Sequence, residues 1–270
     1  MKELQPKTGE PKKAKGNSRW FSTSAIVFLI LLFAVTAYTL VMAYLTPVKK
    51  IEELTKAALY SEKVSQNLAP IQDTSLLNLM KKEAFLKSKL TMAAQDSVCI
   101  VVNLPDSIVT LEIQGVTVHV ARISKIRKSG MLDKIDPRIL IRRFSSPQNV
   151  DSVMATFAKF VFTHKEAPAD TSQQTQLVIP DTATIEPAYV KMFLQDDFIL
   201  TFREKGDQNK KVLDKFVRNI QWNNSIDFFK SILGFKVPDY IPWIEVRIPA
   251  RDIRTIYRSI PEKALLTIRM

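Results

Sequence analysis

The stretch SVCIVVNLPDSIVTLEIQGVTVHVARI, residues 97–123, decides how this chain folds. Apolar and polar residues alternate through it, and turn-forming residues interrupt it twice, at Pro105-Asp106-Ser107 and at Gly115. A period of two with β-branched apolar positions is the mark of strands, and the two interruptions make a three-stranded meander. On both sides of the stretch the period changes.

Upstream the pattern is helical. Asp73 and Thr74 are placed to cap a helix that runs to about residue 94 around Leu76, Leu79, Met80, Leu86 and Leu90. Before it, Ile51, Leu54, Ala58 and Leu68 line one side of another helical segment, which Pro70 breaks. Together residues 46–95 are expected to form a helical stalk. Further back, residues 25–45 carry no charge and are rich in Ile, Val, Leu and Phe. As a helix that run is about 30 Å long, the thickness of a bilayer's hydrocarbon core. Trp20 and Tyr44 suit its two interfaces. The run is longer than the core of a cleavable signal peptide, and VMAYLTP has no small-x-small exit, so an uncleaved signal anchor is expected.

Charge sets the orientation. Lys2, Lys7, Lys12, Lys13, Lys15 and Arg19 precede the run against Glu3 and Glu10, while the far flank is nearly neutral. The positive-inside rule then puts the N-terminus in the cytoplasm and the rest outside, in the periplasm of a single-pass inner-membrane protein. The expected organisation is a basic tail over residues 1–20, a transmembrane helix over 21–45, the stalk over 46–95 and an extracytoplasmic domain over 96–270.

Downstream of the meander, residues 136–143 hold a short apolar run. Ser146 and Pro147 read as a helix start, with Val150, Val153, Met154, Phe157, Phe160, Val161 and His164 at helical spacing behind them. Residues 165–187 are polar and proline-bearing, a long loop with one short strand at LVI. DDFILTFRE is a strand. Val212, Leu213, Phe216, Val217 and Ile220 mark a helix, and Asn224 or Ser225 caps another that ends at Gly234. A strand over 243–248, a helix over 249–260 and a strand over 264–270 close the chain. The fold class is mixed α+β: a mainly β domain with inserted helices behind an anchor and a stalk.

Composition removes many functions. The chain of 270 residues has a net charge of +12, which fits anionic partners, but export of the domain argues against nucleic acid. Basic clusters at 122–130 and 138–144 read as solvated faces, or as contacts for lipid headgroups or wall carboxylates. Cys99 is the single cysteine, so neither an intramolecular disulfide nor a cysteine zinc site can form. With only His119 and His164, a histidine metal site lacks ligands, and no cofactor is expected. There is no G-x-S-x-G elbow, P-loop or dinucleotide fingerprint.

The meander at 97–123, together with VRIPARDIRTIYRSIPEKALLTIRM at 246–270, resembles the opening and the ending of the L,D-transpeptidase (YkuD-type) catalytic domain. In that family a C-(I/V)-R-(M/L) segment leads through a turn into a helix and a last strand. The resemblance covers roughly 50 residues and implies that Arg247 keeps the family arginine's place. It also implies that Pro242, Trp243, Ile244 and Glu245 occupy the positions of the family's S-H-G-C. Glu245 then stands for the nucleophilic cysteine and Trp243 for the histidine, so thiolate acyl transfer has no nucleophile. The expectation is a non-catalytic envelope protein that binds peptidoglycan or another envelope protein, with Trp243, Glu245, Arg247 and His164 as candidate binding residues. Two alternatives stand beside it. One is a structural subunit of a division, secretion or transfer apparatus with an unrelated fold. The other is an envelope hydrolase or transferase that uses Glu245 or Asp252.

Overall fold

The structure is a computed structural model that describes residues 18–61, 73–159, 187–195, 197–206, 210–234 and 236–270. The chain divides into two compact units, Met1–Leu45 and Thr46–Met270. Helix α1 (Ser18–Ser61) carries the uncharged run and continues through Pro47, which withholds the N–H that the Ala43 carbonyl would accept. Ile26, Val27, Phe28 and Leu29, one full turn, are all exposed, so the uncharged run is apolar on every side. A helix of that kind needs apolar surroundings all round it. By length and composition α1 can cross a membrane.

The second unit holds α2 (Thr74–Ala93), β1 (Cys99–Asn103), β2 (Ile108–Ile113), β3 (Val116–Arg122), β4 (Lys125–Lys128), α3 (Pro137–Arg143), β5 (Gln148–Ala155), β6 (Tyr189–Leu194), β7 (Phe198–Glu204), α4 (Lys210–Leu233), β8 (Trp243–Ile248), α5 (Ala250–Ser259) and β9 (Leu265–Arg269). Among the described residues its strands form one nine-stranded sheet in the order β3-β2-β1-β9-β5-β6-β7-β8-β4. The β1–β9 and β7–β8 pairs are parallel and the others antiparallel. The meander is as expected. Gln114 and Gly115, at φ 50° and 80°, make its second turn, the two-residue hairpin that needs left-handed backbone. A side chain at Gly115 would also crowd the Ala93 Cβ at 3.2 Å.

The sheet is rolled. Its outermost strands, β3 and β4, are consecutive in the chain and separated only by Ile123 and Ser124. In a flat sheet eight inter-strand spacings would hold them about 38 Å apart, whereas that link reaches no more than about 11 Å. β3 and β4 therefore act as one bent strand, pairing with β2 by its first part and β8 by its second. β5 turns the opposite corner, with Gln148 and Asn149 on β9 and the rest on β6. The two half-sheets enclose one core, in which Ile100, Val102 and Leu111 meet Met192, Phe202 and Val246. Ile253 and Ile256 of α5 close it.

β1 is buried on both faces. Ile100 and Val102 point into the core, while Cys99 and Val101 lie under Phe85 and Met92 of α2. This corrects two expectations: α2 is a layer of the domain and not a stalk, and the domain does not begin at residue 96. The reason is that α2 has apolar residues on two sides, and the side with Phe85 and Met92 meets the sheet. The expected Asp73 cap is present, accepting from the Ser75 N–H at 2.8 Å.

Other elements differ too. Residues 148–155 form β5, not the start of a helix, because β6 and β9 supply ladder partners that an isolated helix would forgo. Residues 136–143 form α3, started by the Asp136 cap and Pro137. The two helices expected over 212–233 are one, α4. Pro70, the LVI strand and His164 lie outside the described residues.

Candidate functional site

Strand alternation decides which side chains share the outer face of β6, β7, β8 and β4. Val190, Met192, Leu200, Phe202, Ile244 and Val246 enter the core, so Tyr189, Lys191, Thr201, Arg203, Trp243, Glu245 and Arg247 point away from it. Register then lines up a row: Lys191 opposite Thr201, Thr201 opposite Glu245, Glu245 opposite Arg127. A second row runs Tyr189, Arg203, Arg247, Lys125.

Glu245 is the hub. Its Oε1 lies 3.8 Å from Nη1 of Arg127 and 3.6 Å from Nε of Arg247. With its side chain only 12% exposed, it neutralises two guanidiniums as ion pairs, both beyond hydrogen-bond distance. The Arg127 guanidinium also lies 6.0 Å from the Trp243 ring centroid, a cation–π contact. Arg203 pairs with Asp214 of α4, and Phe216 of α4 meets the Tyr189 ring edge-on at 5.7 Å. Burial pushes the Tyr189 hydroxyl above its ordinary pKa, against a hydrogen bond with Thr201, and the nearby Glu245 charge adds to the rise. Lys191 is 8% exposed, and burial lowers its ammonium pKa. Its Nζ lies 4.8 Å from the Phe193 centroid.

The structure thus brings together Trp243, Glu245 and Arg247 on one face of β8. Lys191, Tyr189, Thr201, Arg203 and Arg127 belong to the same surface and were not singled out from sequence. The signal for them was present: alternation in YVKMFL and FILTFRE puts Tyr189 and Lys191 on one side, Thr201 and Arg203 on another strand's matching side. What sequence lacks is the register that joins the strands. Asp252 is elsewhere, on α5, its Oδ1 3.3 Å from Nε2 of His119 on β3.

The arrangement suits electrostatic binding. Cationic groups outnumber Glu245 on this face, and planar guanidiniums favour carboxylates. Cys99 is on the other half-sheet under α2, where burial raises its thiol pKa, the condition of an unreactive cysteine. Among the described residues no group of three or more His, Cys, Asp and Glu could hold a metal ion. No protein family, curated protein or solved structure matches the chain.

Proposed function

We propose that this chain is a single-pass membrane-anchored cell-envelope protein, N-terminus in the cytoplasm and C-terminal domain in the periplasm. In this reading its domain is a non-catalytic binding or scaffolding module of L,D-transpeptidase-like ancestry. The observation that carries it is the ion-paired Glu245 between Arg127 and Arg247, at the position where the resemblance has a nucleophilic thiolate. A carboxylate spent on neutralising two arginines holds a surface together, and the surplus cations beside it can meet the carboxylates of wall peptides. The uncharged, all-round apolar run of α1 supports the anchor.

Co-sedimentation of the detergent-solubilised full chain with purified sacculi tests the wall partner. Pelleting is expected at low salt, with release as ionic strength rises, and weaker pelleting for Arg247→Gln. Pelleting no better than a basic control protein removes the wall and leaves a protein partner. A reporter fused after Met270 tests the topology, and cytoplasmic reporter activity would overturn it.

A second reading, a structural subunit of a division, secretion or transfer apparatus, is favoured by one feature. Leu79, Leu86 and Leu90 on α2, and Val116, Val118 and Val120 on β3, are all more than half exposed. Apolar surface of that extent marks a contact face.

A further inference from the structure

Five of those six residues, all but Val116, share one side of the domain. Cys99 and Val101 face α2, and the register carries that face outward. Cys99 is opposite Glu112, Val101 opposite Thr110, and Thr110 opposite Val120. The Lys89–Glu112 ion pair, at 2.9 Å, fastens α2 to the same side. Val120 therefore stands on the side that α2 covers but beyond the helix itself. Val118, the extra residue where the register shifts between Leu111 and Glu112, stands beside it, whereas Val116 pairs with Ile113 and faces the other way. On α2, Leu86 and Leu90 lie roughly 60–100° further round than Lys89, away from the buried Phe85 and Ser88. The leucine stripe thus opens outward and toward β3. Leu90 is 75% exposed and Val118 55%.

Charge selects the occupant. Lys82 and Lys87 are exposed beside the stripe, Arg122 continues the valine column, and Glu83 is the one exposed acid on α2. A second copy would bring a face of the same net positive charge, three cations against Glu83, which is repulsive. An anionic surface would meet each cation. Apolar side chains flanked by basic ones are the composition that lies in a membrane interface.

We propose that the α2–β3 face seats on an anionic lipid surface, its leucines and valines entering the headgroup boundary and Lys82, Lys87 and Arg122 meeting lipid phosphates. The proposal rests on the reading of α1 as a membrane anchor, which keeps the domain beside a bilayer. Each basic residue at such a surface strengthens attraction about fivefold.

The test uses the full chain reconstituted in vesicles of phosphatidylcholine, alone or with about a third phosphatidylglycerol. Nitroxide labels are attached singly at Leu90→Cys, Val118→Cys, Val35→Cys and Glu262→Cys, and unmutated protein serves as the blank for the buried Cys99. In anionic vesicles the labels at 90 and 118 become shielded from an aqueous nickel reagent and open to oxygen, while 262 stays in water. Lys82→Glu with Lys87→Glu weakens the seating by at least about thirtyfold and returns both labels to water. If 90 and 118 stay in water while 35 is in lipid, the proposal falls and the anchor stands. A label at 35 found in water overturns the anchor reading and the proposal together. Labels at 90 and 118 shielded from both reagents and broadened by each other identify a second copy and overturn the lipid proposal.

Discussion

Glu245 shows how one residue can be legible in type and illegible in role. Its position next to Arg247 is plain from sequence, and so is the absence of a cysteine there. Arg127 is over a hundred residues away, and only the β4–β8 register brings it within 3.8 Å. Removing the carboxylate leaves two half-buried guanidiniums facing each other, so Glu245→Gln should cost about 2 kcal/mol in denaturant unfolding. Lys191 makes a different prediction. Its pKa is lowered by burial, so the folded state binds its proton less tightly than the unfolded chain does. Stability contributed at this site therefore rises with pH as the lysine loses its proton, in the alkaline range below the ordinary value of about 10.4. Lys191→Met should abolish that slope and be within about 1 kcal/mol of the unmutated protein, or more stable, at neutral pH. Denaturation midpoints measured from pH 7 to 10 check both points. Cys99, buried with a raised pKa, should resist iodoacetamide in the folded protein and react once it is unfolded.

Elements with one dominant period were readable, and those with two were not. The meander and the closing β8, α5 and β9 have a single pattern each and fold as expected. Residues 148–155 contain Val150, Val153 and Met154, which suit a helix as well as a strand, and their partners on β6 and β9 decide the matter. α2 is the converse: its secondary structure was evident, but two apolar sides left its packing open. Phe85→Ala provides the check. With Phe85 packed on Cys99 and Val101, the substitution should lower domain stability by about 3 kcal/mol or more. A helix standing free of the sheet would lose almost nothing.

Across the whole molecule, closure of the sheet depends on contacts between distant parts of the chain. The β3–β4 bend and the β5 corner were invisible in sequence, because nothing local distinguishes a strand that changes partners from one that ends. β9 is the clearest case. It comes last in the chain yet sits in the middle of the sheet, between β1 and β5. Deleting residues 265–270 should leave those two strands with open edges and give a protease-sensitive, aggregating protein, readable by limited proteolysis. The position of β9 also sets an order of events during folding. Until β9 is in place, no earlier segment can complete the barrel-like core, because β9 is the strand that joins β1 to β5. Folding of the domain is then gated by the pairing of that strand, a slow, non-local step.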